Sequence, residues 1–237
     1  MKRSRNKRPL YVQVSNILRE RILHGVYPLG TNIPSEPQLE EEFQVSKITV
    51  RNAIIELVQE GYVEKGSGKG TKVIRNTSAS KLSKWKRFTE ILVEEGHRIH
   101  KRVIRAEVIR AEEGTAPCRL FGASCLCIER VYDLDGSPYI HFTHYLSHQA
   151  GALDLSELDG QSLYEWLEEQ DIELGQYKDE FAVATAPPAA RAVLGVGADV
   201  PLLRRSRYSY DVNGTLIEYS VGYYHTALHS YVVNYDG

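Results

Sequence analysis

The chain has 237 residues, of which 42% are hydrophobic and 25% are charged, and its formal net charge is −2. This composition is typical of a globular protein with one or two domains, and it disfavours disordered, collagenous and coiled-coil chains. We find no apolar run long enough for a membrane span and no apolar segment after the basic N-terminus, as a signal peptide would need. The three cysteines have no paired spacing, which favours a reducing, cytoplasmic setting.

The charge is divided unevenly along the chain. Residues 1–75 contain 13 Lys and Arg against 8 Glu, a net charge of +5, whereas residues 76–237 contain 16 Lys and Arg against 23 Asp and Glu, a net charge of −7. A basic segment joined to an acidic one suggests a nucleic-acid-binding module attached to a second domain. Chance clustering of charges would give the same numbers. The charge alone therefore does not identify a nucleic-acid-binding module, and the sequence motifs are needed.

Three helices are predicted in the basic segment. Apolar residues recur at helical spacing over residues 11–24, with Pro9 before them and Gly25 after them. Ser35 and Ser46 are N-cap residues for a second and a third helix. The positions of the third helix that we expect to face inward are Ile48, Val50, Ala53, Ile54, Leu57 and Val58.

Two short strands, 62–65 and 71–75, follow around a glycine-rich turn, so the segment is predicted to be a winged helix-turn-helix. The third helix leaves Lys47, Thr49 and Arg51 outward near its N-terminus, where a recognition helix reads base edges. Each residue alone could be an ordinary solvated side chain, but the ordered set favours DNA binding.

The motifs of this segment resemble the DNA-binding domain of GntR-family bacterial transcription regulators. The matching stretches are Pro34-Ser35-Glu36, Val45-Ser46-Lys47-x-Thr49-Val50-Arg51, Glu60-Gly61 and Gly68-Lys69-Gly70-Thr71. The resemblance implies DNA contacts from Ser46, Lys47, Thr49, Arg51, Ser67, Gly68 and Lys69. Pro37 and Lys47 stand where the family usually has Arg, and Lys lacks the bidentate fork of Arg, so a different base specificity is expected.

The remainder of the chain is predicted to be α+β with an antiparallel sheet. We expect domain 1–75, a polar, serine-rich linker 76–84, and domain 85–237. The predicted strands are 102–111, 125–134, 139–146, 173–184, 201–210 and 216–224, and the predicted helices are 86–95, 116–121, 162–170 and 188–194.

A weak internal repeat is present in this second domain. Thr115-Ala116-Pro117 and Thr185-Ala186-Pro187 each precede a helix, a glycine, a strand and a hairpin turn. Duplication would build a pseudo-symmetric sheet with a cleft on each half. Two unrelated copies of a common hairpin pattern are the alternative.

This layout resembles the UTRA effector domain of the HutC-type subfamily. The supporting stretches are Arg87-Phe88-Thr89-Glu90, Leu120-Phe121-Gly122, Ile128-Glu129-Arg130-Val131, Asp135-Gly136-x-Pro138, Ser162-Leu163-Tyr164, Asn213-Gly214 and Glu218-Tyr219-Ser220. The resemblance implies a chorismate-lyase-like fold that binds a small metabolite.

The resemblance also implies a ligand site that uses Phe88, Thr89, Arg130, Ser162 and Tyr164. Tyr132 stands where phosphosugar-sensing members carry a second Arg on the same strand face, and Phe142 replaces an expected Glu. An anionic or polyhydroxylated ligand is therefore expected, with phosphate less assured. Glu218 and Tyr224 are candidate wall residues, for which cross-strand pairing on an exposed face is an equal alternative.

Nearby histidines do not suggest a metal site. His141 and His144 have opposite parity on one strand and so cannot share a face. Ligand-pocket or surface positions are favoured over metal binding for these two and for His148. No cofactor is predicted.

We therefore expect a ligand-responsive bacterial transcription regulator, a repressor that binds a palindromic operator as a homodimer. Its predicted partners are double-stranded operator DNA and a second copy of the chain. The predicted effector is a sugar phosphate, a sugar or an organic acid, and no membrane partner is predicted. The alternatives are a chorismate-lyase-like enzyme with an appended DNA-binding module, and a constitutive DNA-binding protein with an inactive effector domain.

Overall fold

The computed structural model describes residues 9–66, 70–77, 88–147 and 163–232. The chain divides into two compact units, Met1–Arg98 and Ile99–Gly237. Most of the predicted linker 76–84 lies outside the described residues, so the predicted domain limits stay predictions. No helix among the described residues is long and apolar enough to cross a membrane.

The first unit is a helical bundle with a hairpin. Its elements are α1 (Leu10–Leu23), α2 (Glu36–Phe43), α3 (Lys47–Gln59), β1 (Val63–Gly66), β2 (Gly70–Val73) and α4 (Phe88–Glu94). The two strands pair antiparallel, from Val63 opposite Val73 to Gly66 opposite Gly70. This order is a winged helix-turn-helix followed by one further helix.

Capping side chains define where the two helices of the helix-turn-helix begin. Ser35 and Gln38 form a capping box at the start of α2, and the hydroxyl of Ser46 accepts the backbone N–H of Thr49 at the start of α3. Gln44 takes the left-handed conformation in the tight turn between these helices. Both helices therefore begin after the N-cap residues that the sequence predicted, Ser35 and Ser46.

The core of this unit is formed by Leu18, Ile22, Leu39, Ile54 and Leu57, all almost inaccessible to solvent. Two of the expected inward positions of α3 are wrong: Ile48 is 62% exposed and Val58 is 38% exposed. Ile48 lies in the first turn of α3 and is left largely in solvent, so helical periodicity alone overestimates the buried face.

The second unit contains one six-stranded antiparallel sheet. Its elements are β3 (Ile99–Arg110), α5 (Ala116–Phe121), β4 (Ser124–Leu134), β5 (Ser137–Leu146), α6 (Leu163–Glu169), β6 (Leu174–Ala184), α7 (Pro188–Leu194), β7 (Leu202–Asp211) and β8 (Leu216–Tyr224). The strand order is β3-β4-β5-β8-β7-β6. This confirms the predicted α+β class with an antiparallel sheet.

The strand order has the symmetry that the internal repeat predicts. Each half runs strand, helix, strand, hairpin, strand, and the last strands of the two halves, β5 and β8, pair at the centre of the sheet. The two helices packed on the sheet cover opposite faces. Trp166 and Leu167 of α6 pack with Ile128, whereas Ala190 and Leu194 of α7 pack with Leu202 and Tyr223.

Candidate functional site

The first candidate site is the N-terminal turn of α3. Lys47 and Arg51 are exposed there, and the Ser46 hydroxyl lies 2.9 Å from the hydroxyl of Thr49. Ser46 thus caps the helix and orders its first turn. The exposed N–H groups and dipole of a helix start favour a phosphate, and the neighbouring cations add to that preference.

An ion-pair cluster holds Arg51 against the preceding helix. Its Nε lies 2.9 Å from Glu36, and Lys65 of β1 lies 3.4 Å from the same carboxylate. The hydrogen bond from Arg51 lowers the pKa of Glu36, so this carboxylate stays charged. Glu36 therefore links the recognition helix to the wing and orients the Arg51 guanidinium while leaving it half exposed.

The predicted wing contacts Ser67, Gly68 and Lys69 lie outside the described residues. The strands β1 and β2 that flank them do form the expected hairpin, with an exposed basic residue, Lys72, on β2.

The second candidate site is one face of the six-stranded sheet, here called the arginine face. It is defined by side chains on four neighbouring strands: Arg130 on β4, Phe142 and His144 on β5, Glu218 on β8, and Arg205 and Arg207 on β7. Residues that are directly opposite in adjacent strands share a face. Arg130 lies opposite Phe142, and Phe142 lies opposite Gly222, which lies opposite Arg205.

Arg130 is the most buried cation of this face, with 1% of its surface exposed. Its Nε and Nη2 atoms have no hydrogen-bond partner within residues 9–66, 70–77, 88–147 and 163–232. Removing a guanidinium from water without pairing it is costly, so such a group is a strong candidate for ligand contact.

Glu218 is the centre of a buried hydrogen-bond network. His144 Nδ1 lies 2.6 Å from one carboxylate oxygen, and the hydroxyl groups of Ser209 and Tyr164 donate to the other. Burial acts to raise the pKa of Glu218, but the hydrogen bonds from His144 and Ser209 and the charge of Arg207 outweigh it and hold that pKa well below its ordinary value. Glu218 is thus a buried carboxylate.

The predicted alternative for Glu218 and Tyr224, pairing on an exposed face, is wrong because both side chains are fully buried. Tyr224 packs edge-on against Phe142 and Tyr139. Tyr132 packs edge-on against Phe142 from the β4 side. The structure therefore brings Arg130, Tyr132, Tyr164, Glu218 and Tyr224 to one face.

Three other predicted ligand residues cannot be placed on that face. Ser162 and the side chain of Phe88 lie outside the described parts of the chain. Thr89 is half-buried on α4, which belongs to the first compact unit.

Sequence reasoning missed the cations that β7 contributes. Arg207 forms a two-pronged ion pair with Asp179, at 2.7 Å for each contact. Arg205 lies 5.5 Å from the ring centre of Phe142 and 5.6 Å from that of Tyr224. The alternation of Arg205, Ser206 and Arg207 along one strand was the available signal, because alternate residues point to the same side.

Both domains match known protein families. Residues 10–73 match the model described as bacterial regulatory proteins, gntR family, and residues 94–230 match the UTRA domain. The chain belongs to the GntR family of bacterial transcription regulators and carries a UTRA effector domain.

Relatives along most of the chain are regulators of the same architecture. The HTH-type transcriptional repressor NagR of Bacillus subtilis is 28% identical over 94% of this chain and 93% of its own length. The "Probable fructoselysine utilization operon transcriptional repressor" of Escherichia coli K12 is 32% identical over 86% of this chain and 85% of its own length. These relatives are repressors rather than enzymes, so a regulator is favoured over the enzyme alternative.

The fold is also similar to that of a solved structure over most of the chain. The crystal structure of PhnF from Mycobacterium smegmatis matches with a TM-score of 0.54 and 25% identity, over 94% of this chain and 99% of that chain.

Proposed function

We propose that this regulator is a HutC-type repressor that works in the cytoplasm and binds an inverted-repeat operator as a homodimer. In this proposal a small anionic or polyhydroxylated metabolite binds the arginine face and changes the operator affinity. The observation that carries the effector part is the buried guanidinium of Arg130, whose Nε and Nη2 atoms have no partner in the described part of the chain. A sugar-phosphate or sugar-derived effector also agrees with the fructoselysine operon in the name of one relative.

The DNA-binding part rests on α3 and the hairpin. Ser46, Lys47, Thr49 and Arg51 contact one half-site, and the predicted wing residues Ser67, Gly68 and Lys69 contact the adjacent groove. Two copies of α3 in a dimer would reach half-sites one helical turn apart, about 34–36 Å between centres. A coupling free energy of about 1–3 kcal/mol between effector and operator is enough for regulation.

One experiment tests the operator and the oligomeric state together. Selection from random double-stranded DNA with the full chain should enrich an inverted repeat, and sedimentation of the purified complex should give two chains per duplex. Enrichment of a single, non-repeated site bound by one chain would contradict the proposal.

A second experiment tests the effector site. Replacing Arg130 with Met should leave operator affinity unchanged in a gel shift and abolish the release of DNA by metabolites extracted from a bacterial culture. Arg102→Met is the matched control, because Arg102 also lies in the sheet but is paired with Asp133. Release that is undiminished in the Arg130 variant would contradict the proposed site.

A further inference from the structure

Three side chains of the arginine face have buried atoms without a hydrogen-bond partner among the residues that the structure describes. These atoms are Nε and Nη2 of Arg130, Nε of Arg205 and Nε2 of His144. Buried polar atoms in proteins are almost always paired. His141 and Arg204 on the opposite face also have one such atom each, but the arginine face gathers four of them, which calls for a ligand that pairs them. Arg207 provides the contrast on the same face, since Asp179 already binds it through two contacts.

The register of the sheet brings these side chains to one face. Arg130, Phe142, Gly222 and Arg205 are successive neighbours across β4, β5, β8 and β7. Gly222 leaves room for the Phe142 ring, because a Cβ at this position would lie 2.5 Å from Phe142 Cε1. The ring centre of His144 lies 5.4 Å from that of Phe142, one step along the same strand face.

The electrostatics of His144 agree with this placement. Burial lowers its pKa, and the charges of Arg130 and Arg205 lower it further against the opposing effect of Glu218. His144 is therefore neutral near pH 7 and lies within the field of both guanidinium groups. Arg130 and Arg205 thus approach the same imidazole from the two halves of the sheet.

The partner of His144 determines which of its nitrogens carries the proton. Glu218 is a carboxylate and can only accept, so Nδ1 of His144 must donate the hydrogen bond that joins them. In a neutral imidazole the other nitrogen, Nε2, is then an acceptor. A ligand that pairs Nε2 must bring an O–H or N–H donor.

We propose that Arg205 and His144 complete the effector site with Arg130, so that the site selects a ligand with one anionic group and an adjacent hydroxyl or N–H donor. This inference rests on the proposed effector function and specifies its ligand class. Tyr132 carries no positive charge, so Arg205 is the second cation of the site beside Arg130. Glu218 is a positioning residue, because it acts on the ligand through the tautomer of His144.

The test uses calorimetric titration of the full chain with four six-carbon probes: gluconate, glucose 6-phosphate, glucose and hexanoate. At least one of the first two should bind, and which one binds distinguishes a carboxylate from a phosphate ligand. Glucose lacks the anion and hexanoate lacks the hydroxyl groups, so both should fail to bind. The proposal is overturned if neither anionic polyol binds, or if glucose or hexanoate binds as tightly as the better of them.

Two variants with matched controls test the individual residues. Arg205→Met should weaken binding of the better probe by about 10- to 100-fold, the range expected for a hydrogen bond to a charged group. Arg204→Met, the neighbour on the opposite face, should leave binding unchanged. Equal losses in both variants would contradict the role of Arg205.

His144→Asn keeps an N–H group near the position of Nδ1 for Glu218 but lacks the second nitrogen. It should weaken binding by about fivefold, the effect of one neutral hydrogen bond, and His141→Asn on the other face should not. Nitrogen NMR of the unliganded wild-type chain should show His144 protonated at Nδ1 and bare at Nε2, and the opposite tautomer would overturn the assignment.

The failures of the two proposals are distinguishable. If Arg130→Met abolishes probe binding while Arg205→Met and His144→Asn bind like the wild type, the effector function stands and the inference about these two residues is wrong. If Arg130→Met also binds like the wild type, the proposed effector site itself is wrong.

Discussion

Arg51 and Arg130 show how differently the two units use a guanidinium group. Arg51 is half exposed at a helix start and is held by Glu36 at 2.9 Å. Arg130 is buried within a sheet and has two atoms that no described residue pairs. A group that must contact a large polyanion has to lie outside and be oriented, whereas a group that selects a small ligand gains strength from exclusion of water.

The same contrast extends to the surroundings of each site. The first unit buries mainly aliphatic side chains beneath an exposed recognition helix. The arginine face of the second unit buries Arg130, His144, Ser209 and Glu218 together. We therefore expect substitutions on the exposed side of α3 to change DNA affinity with little effect on folding, and substitutions on the arginine face to affect stability and ligand binding together.

The largest effect is expected for Arg51→Ala. Loss of one base contact costs about 1–3 kcal/mol, and a dimer loses two of them. Operator affinity in a gel shift should therefore fall by at least about tenfold, while the melting temperature changes little. Arg191→Ala, on helix α7 of the second unit, is the control. If the Arg51 variant binds the operator with wild-type affinity, the assignment of α3 to the DNA interface is wrong.

Gly222→Ala should be the most destabilising small change on the arginine face. The new Cβ would meet the Phe142 ring at 2.5 Å, and overpacking of this kind costs about 1–3 kcal/mol. Urea unfolding measures the loss. The double variant with Phe142→Leu should recover part of it, because the clash is with the ring, and an absence of recovery would mean that the backbone is responsible.

Acid should destabilise the sheet unit in two steps. The pKa of His144 is lowered in the folded chain by burial and by Arg130 and Arg205, so its contribution is lost as pH falls below about 6.5, where the unfolded chain takes up the proton. The pKa of Glu218 is also lowered, because hydrogen bonds from His144 and Ser209 outweigh burial, so its contribution is lost below about 4.5. Thermal unfolding followed by circular dichroism between pH 8 and pH 2 tests both steps.

In the His144→Asn variant the first step should become smaller and the second should remain. The part of the first step that is left comes from His141, whose pKa burial also lowers. A stability profile that is flat between pH 7 and pH 5 in the wild type would contradict the burial of a neutral His144.

The smallest effect is expected for Ser46→Ala. Loss of an N-cap costs about 1 kcal/mol, and here the cap also orders Thr49. Operator affinity should fall by less than in the Arg51 variant, with a small decrease in melting temperature. Ser46→Asp is the control for capping, since it restores the cap but adds a negative charge near phosphate. A Ser46→Asp variant that is less stable than Ser46→Ala would mean that capping is not its role.

Local signals in the chain were sufficient for most of the fold. Proline, glycine and serine positions predicted the starts of α2 and α3, and the strand β8 was predicted at its observed limits, 216–224. These features depend on a few neighbouring residues, so they can be recognised without tertiary information. The exposed Ile48 shows the limit, because whether an apolar residue is covered depends on which helix packs beside it.

By itself, the sequence determined the order of elements, the winged helix-turn-helix, the antiparallel sheet and the candidates Arg51 and Arg130. Only the tertiary structure brought Arg205 and His144 onto one face with Arg130, because the two arginines are 75 positions apart in the chain and their shared face depends on the central pairing of β5 with β8. It also decided that Glu218 is buried rather than exposed. Strand pairing and burial arise from contacts distant in sequence, which local patterns do not contain.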